Sequence, residues 1–127
     1  MNDIKLMNKA ADNIRILAAS MVEKAKSGHP GGAMGGADFV NVLFSEFLVY
    51  DPKNPAWEGR DRYFQDPGHM SPMLYSVLAL AGKFTIDELK EFRQWGSVTP
   101  GHPEVNVMRG IENTSGPLGQ GHTYAVG

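Results

Sequence analysis

The sequence predicts an α/β fold that is mostly helical over its 127 residues, with one or two strands of a parallel sheet among the helices. Three observations carry this expectation. Apolar residues recur at three- and four-residue spacing over a long N-terminal stretch, and a second apolar block at Pro72–Gly82 has the length of a helix. Only Arg62–Gln65 (RYFQ) reads as a short strand. At 42% hydrophobic and 20% charged residues the chain can fill a packed core, which excludes wholesale disorder.

Taken in order, Asp3 to Lys26 reads as one amphipathic helix. Leu6/Met7, Ala10/Ala11, Ile14, Leu17/Ala18, Met21/Val22 and Ala25 make its apolar stripe, and Lys24, Lys26 and Gly28 supply stop signals. A glycine-rich loop, SGHPGGAMGG, follows. A second helix is expected from Ala37 to about Val49, with Val40, Leu43, Phe44, Phe47 and Leu48 on its core face. DPKNPAWEGRD holds two prolines and reads as an exposed connection, and Asp66-Pro67-Gly68 turns the chain after RYFQ. Ser71 to Ala81 is expected as a mostly buried helix. Thr85-Ile-Asp-Glu88 has the spacing of a capping box, so a surface helix is expected from Ile86 to about Trp95, with its acidic residues solvated. Gly96 to Asn113 is expected as loop. Gly116-Pro-Leu-Gly-Gln-Gly121 leads into a helix that has run only about two turns by Gly127, and so short a helix is marginal without more packing.

Composition also excludes function classes. A net charge of −2 gives no electrostatic reason to expect nucleic acid or an anionic membrane. With no cysteine, a disulfide scaffold and a thiolate nucleophile or metal site are ruled out. The polar N-terminus, MNDIKLMNK, is not a secretory signal. The most apolar stretch is about half of the roughly 20 residues that a membrane span needs. A cytoplasmic protein is expected.

Glycine is unusually frequent, 15 of 127 residues, or about 12% against an average near 7%. Five glycines fall in Ser27–Gly36, and a glycine precedes every one of the four histidines, His29, His69, His102 and His122. Independent placement would do this with a chance on the order of 2 in 10,000. His29 and His102 are also followed by proline, which stiffens the loop that carries the ring. Three readings stand: loop histidines without a role, a metal cluster, or imidazoles lining an anion or polyol pocket. The spacing lacks the short i, i+4 pair of helical zinc sites, and the third reading fits best. GPLGQG could offer backbone N–H groups to a phosphate, or could be a close-packed turn; it matches neither a Walker loop nor a dinucleotide fingerprint. Met34, Met70 and Met73 are expected to fill gaps in the core.

Ser27-Gly-His-Pro-Gly31, Arg60-Asp-Arg62, Gly68-His69, Thr99-Pro-Gly-His-Pro-Glu104 and Gly116-Pro-Leu-Gly-Gln-Gly121, in this order and spacing, resemble the N-terminal part of transketolase. The resemblance runs from about Ile14 to Gly127, and TPGHPE favours transketolase over 1-deoxyxylulose-5-phosphate synthase. It implies a thiamine-diphosphate-binding fold, a parallel sheet flanked by helices, and transfer of a two-carbon ketol unit between sugar phosphates in the pentose phosphate pathway. It implies that residues 1–127 are the N-terminal part of the diphosphate-binding domain, incomplete at the C-terminus. By the same resemblance His29 and His102 act on the substrate near its reacting carbons. His69 reaches both the cofactor diphosphate and the substrate, and the backbone of Gly116, Pro117 and Leu118 lies along the cofactor.

Two departures stand out: Asp66-Pro-Gly-His-Met70 differs from the family's usual surroundings of the second histidine, and His122 inherits no role. The family's Mg²⁺ ligands, a Gly-Asp-Gly motif and a later asparagine, are expected beyond residue 127, since no Gly-Asp occurs here. A homodimer is implied, with an activating glutamate from the other subunit, so the isolated chain is expected to be inactive. The competing expectations are a non-catalytic assembly module, pairing through the long helix and the Phe39–Phe47 face, and a histidine-metal hydrolase.

Overall fold

A computed structural model describes residues 2–127. Its longest element, α1 (Ile4–Ala25), begins where Asp3 caps it: the Asp3 carboxylate accepts hydrogen bonds from the N–H groups of Lys5 (2.8 Å) and Leu6 (3.1 Å), a cap worth about 1 kcal/mol. It ends with Lys26 itself in the left-handed conformation, two residues before the glycine expected to stop it. The buried face of α1 is Ala11, Ile14, Ala18 and Met21, while Leu6 at the start of the predicted stripe is exposed.

The glycine-rich segment departs from expectation. Pro30–Gly35 is a short helix, α2, followed at once by α3 (Ala37–Val42), which runs into a π-helical turn at Leu43–Phe47. Glycine disfavours helix by about 1 kcal/mol per residue relative to alanine, so packing has to supply the difference. A Cβ on Gly32 would lie 3.0 Å from the Met70 side chain, and one on Gly36 would lie 2.5 Å from the Met73 sulfur. These glycines let the α2–α3 backbone approach the next helix, and Ala33 and Ala37 are buried there. Met73 fills the core and Met70 half-fills it as expected, whereas Met34 is exposed.

That next helix is α4 (Ser71–Leu80), introduced by a 3₁₀ turn at Gly68–Met70. Every residue from Ser71 to Leu78 is buried, and α4 packs against α1, α2 and α3. Tyr75 lies at its centre with Phe84 (5.4 Å between ring centroids) and Phe92 (6.3 Å). Burying each such aromatic or aliphatic side chain contributes about 1.5–3 kcal/mol.

The capping box forms as expected. Glu88 N–H donates to Thr85 Oγ1 and Thr85 N–H to Glu88 Oε2. The helix it starts, α5 (Ile86–Lys90), is shorter than the periodicity predicts, because the chain turns and Arg93 takes a left-handed conformation (φ +61°) that aims its N–H at the Thr99 carbonyl. Glu88 is only partly solvated. Arg109, from a 3₁₀ turn at Val107–Arg109, donates to it at 2.7 Å, and this ion pair with the cap bonds holds the Glu88 carboxyl down to about 2. The last helix, α6, spans Gln120–Val126.

The strand expected at Arg62–Gln65 finds no ladder. Gln65 N–H donates to the side chain of Asn113 (3.1 Å), and the sole β-bridge among the described residues joins Asn106 and Ile111. The exposed DPKNPAWEGRD connection is instead anchored by Arg60, whose guanidinium donates twice to the Glu112 carboxylate, at 2.7 and 2.9 Å, in a well-covered ion pair. No helix among the described residues is long and apolar enough to cross a membrane.

Candidate functional site

The turn before α4 brings two of the motifs together. A Cβ on Gly68 would lie within 2.9 Å of the Ser115 backbone carbonyl group and 2.8 Å from its Oγ, so only glycine lets this turn press against the residue that precedes GPLGQG. Asp66 completes the junction by accepting the Gly119 N–H at 2.9 Å and meeting His122 Nδ1 at 3.0 Å. The site's second wall is α2. His29 occupies the position before Pro30, where the chain is still extended, and its ring meets that of His69 with centroids 4.5 Å apart.

The third histidine arrives on the Thr99–Pro103 loop. Four of the five carbonyls in this loop are engaged: Thr99 by Arg93 N–H (3.0 Å), Pro100 by the Tyr75 hydroxyl (2.7 Å), Gly101 by the Ser71 hydroxyl (2.7 Å) and Pro103 by Ser115 N–H (3.0 Å). His102 sits exposed on this pinned loop, beside a groove shared with Arg93, Glu104 and Arg109. Partial burial pushes its imidazole below the ordinary histidine value, and the charges of Arg93, His69 and His29 push in the same direction. The shift favours the neutral imidazole, in which one nitrogen donates and the other accepts.

The sequence-predicted residues thus converge. His29, His69 and His102 share one edge of the molecule, and none of the three imidazoles bonds to a protein group among the described residues. Gly116 is partly covered and Pro117 and Leu118 are exposed beyond Ser115, with open space where a Gly116 Cβ would stand. His122 is the exception among the glycine-led histidines, since it pairs with Asp66. Asp66 also takes the Gly119 N–H, one of the GPLGQG backbone groups that could have faced a phosphate.

One residue that organises this site escaped the sequence reading. Arg93 bridges the histidine segments: its guanidinium donates to Ser27 Oγ (2.9 Å), two residues before His29, and its Nε lies 2.6 Å from where a Gly101 Cβ would stand. It carries no local signal, because Ser27 lies 66 positions away.

The donor set distinguishes ligand classes. Among the described residues no three histidine, aspartate or glutamate side chains are grouped to hold a metal ion. Three unpaired imidazoles beside exposed backbone suit an anionic, hydroxyl-bearing ligand.

Comparison with known proteins agrees in detail. A family profile described as "Transketolase, thiamine diphosphate binding domain" matches residues 6–127. The transketolase of Buchnera aphidicola is 54% identical over 123 residues, which cover 96% of this chain and 18% of that protein. Transketolase 1 of Escherichia coli K12 is 52% identical over 118 residues, covering 92% of this chain and 18% of the relative. In structure, the transketolase of Campylobacter jejuni superposes with a TM-score of 0.92 at 48% identity, over 98% of this chain and 20% of that one. A Pichia stipitis transketolase in complex with sedoheptulose-7-phosphate does so with 0.90 at 45% identity, over 94% and 18%. The chain spans about a fifth of the length of the relatives it matches. Across that span the sequence and the fold agree, and the chain belongs to the transketolase family.

Proposed function

We propose that this chain forms the wall of a transketolase active site that faces thiamine diphosphate, in an enzyme that moves a two-carbon ketol unit between sugar phosphates. The observation that carries the reading is the convergence of His29, His69 and His102, their imidazoles without hydrogen bonds to the described residues, near the partly covered Gly116 and the exposed Pro117 and Leu118. When bound, thiamine diphosphate supplies a nucleophilic carbon and an electron sink for cleavage beside a ketose carbonyl. The residues of this chain bind and orient. His69 donates to the diphosphate and, with His29, to substrate hydroxyls. His102, biased toward the neutral imidazole, donates to the carbonyl oxygen or to the neighbouring hydroxyl and can accept a proton at its second nitrogen. The Gly116, Pro117 and Leu118 backbone lies along the cofactor.

The remaining four-fifths of the relatives' length is where the reading puts the Mg²⁺ ligands, the substrate's phosphate-binding residues and the dimer partner's contribution, in a cytoplasmic homodimer. By the same reading residues 1–127 are the first part of the diphosphate-binding domain, and alone they catalyse no ketol transfer. Turnover by the purified chain would overturn that last point.

The test of the reading is a calorimetric titration of the full-length protein with thiamine diphosphate and Mg²⁺. Saturable binding, weakened at least tenfold in His69→Ala and less in His29→Ala, is the expected result; binding indifferent to both substitutions refutes it. A second reading, an assembly module without catalysis, is favoured by the exposure of Phe39 (66%) and Phe47 (70%). It predicts stable self-association with no cofactor binding at all.

A further inference from the structure

Ser71 and Tyr75 stand one helical turn apart on α4, both fully buried, and their hydroxyls donate to two consecutive carbonyls of the loop that carries His102. The spacing matters. Residues i and i+4 of a helix point to the same side about 6 Å apart, so the pair fixes both the height and the rotation of the Pro100–Gly101 peptide. The same helix sets the other two histidines. His69 lies two residues before Ser71 in the turn that opens α4, and Met70 and Met73 meet Gly32 and Gly36 of the α2–α3 segment that follows His29.

Resting on the reading of the site given above, we infer that Ser71 and Tyr75 are positioning residues whose hydroxyls set His102 in register with His69 and His29. Each hydroxyl donates its proton to a carbonyl of the loop. Tyr75 keeps its packing against Phe84 and Phe92 through its ring, and a third buried hydroxyl on α4 shows what an ordinary helical serine does. Ser76, equally buried, donates to the Pro72 carbonyl of its own helix at 2.6 Å and reaches no loop. On the opposite side the His102 loop is braced by Arg93, whose N–H holds Thr99 and whose guanidinium backs Gly101. Removing the α4 hydroxyls releases one side of a loop that remains attached on the other.

The experiment compares the unsubstituted full-length protein with Ser71→Ala, Tyr75→Phe and the control Ser76→Ala, all without cofactor. Carbethoxylation of each histidine by diethyl pyrocarbonate is followed against pH and resolved by peptide mass spectrometry. The groups around His102 are Arg93 beyond α5, His69 before α4, His29 before α2, and Glu104 and Arg109 in the groove. None of them is altered by the substitutions. A freed loop relieves the partial burial of the His102 ring and carries it away from Arg93, His69 and His29, so its midpoint rises toward the ordinary histidine value and its plateau rate increases severalfold. This is expected in Ser71→Ala and Tyr75→Phe, with Ser76→Ala unchanged.

An unaltered His102 profile in both variants overturns the inference, as does an equal shift in Ser76→Ala. Loss of the folded state in both, with Ser76→Ala folded, assigns the hydroxyls to the core and overturns it too. Thiamine diphosphate binding is titrated separately on the same proteins. A shifted His102 profile without any cofactor binding supports the positioning role and removes the cofactor reading; binding with an unmoved profile does the reverse.

Discussion

Gly68-His69 leads into α4, where every residue from Ser71 to Leu78 is buried; Gly121-His122 lies in α6, where every residue from His122 to Val126 is exposed. The two share a neighbour, Asp66, and the same dipeptide, but they are built in opposite ways. At His69 the backbone is locked by packing on both sides, while the ring rests on His29 and its nitrogens have no hydrogen-bond partner among the described residues. At His122 the ring is paired with Asp66, and the backbone is held chiefly through Gly119 and Gly121 against Gln65 and Asp66. The contrast separates two properties that a Gly-His sequence cannot distinguish: how firmly a histidine is placed, and whether its nitrogens are available. A ligand-binding imidazole needs both, and only the α4 side of the molecule provides them.

The largest expected effect tests the difference in packing. Leu74→Ala in α4 removes a buried side chain and is expected to cost about 2–5 kcal/mol in chemical denaturation. Leu118→Ala, at a residue 71% exposed, is expected to stay within about 0.5 kcal/mol. Equal costs at the two positions would erase the distinction drawn here. Next comes the junction itself. Gly68→Ala drives a Cβ against the Ser115 carbonyl group, which is backbone and cannot swing aside, so a loss of about 1–3 kcal/mol is expected. The same substitution should weaken thiamine diphosphate binding by moving His69 away from Gly116. A stable variant with unchanged binding would show that the close approach is incidental.

A smaller effect concerns the clamp behind the His102 loop. Glu88 is held down to about 2 by Arg109 and the Thr85 cap bonds, against an unfolded carboxyl near 4.5. A depressed acid stabilises the fold fully above the unfolded value and loses that contribution as pH falls through the folded one. Stability should therefore drop between about pH 5 and pH 2, by about 1–2 kcal/mol once solvent screening is allowed for. Glu88→Gln should flatten that part of the pH profile. A profile of the same slope in the variant would place the acid sensitivity elsewhere.

Much of the architecture was legible because it rests on local rules. The stripe of α1, the mostly buried α4 and the Thr85–Glu88 capping box are each written within one or two turns of sequence, and each is found where expected. The pairing of glycine with histidine also singled out three imidazoles that the fold brings near one another. What stayed hidden depends on contacts between distant residues. The Pro30–Gly35 segment can pack as a helix because Gly32 and Gly36 let its backbone approach Met70 and Met73, which no propensity could reveal. Arg93 adopts φ +61° to satisfy Thr99, Glu88 answers to Arg109 21 residues later, and Arg60 answers to Glu112 52 residues later. RYFQ has the pattern of a strand, but a strand needs a neighbour, and the described residues provide only the Asn113 side chain.

The smallest expected effect isolates the weaker half of the comparison. Asp66 offers one carboxylate to the Gly119 N–H and to His122 Nδ1, and Asp66→Ala removes both contacts while leaving α4 untouched. Losing such a contact at a helix start costs about 1 kcal/mol. α6 has little other packing over which to spread that cost, so the loss should appear locally. Amide exchange in Gln120–Val126 is expected to accelerate about fivefold, with Ser71–Leu78 unchanged. Were the α4 amides to accelerate equally, Asp66 would belong to the global fold, and the two glycine–histidine sites would be parts of one cooperative unit. Acceleration confined to α6 means that the carboxylate occupying the GPLGQG helix start is a local latch. Its removal would then expose the Gly119 N–H without disturbing the three histidines on the other side of Asp66.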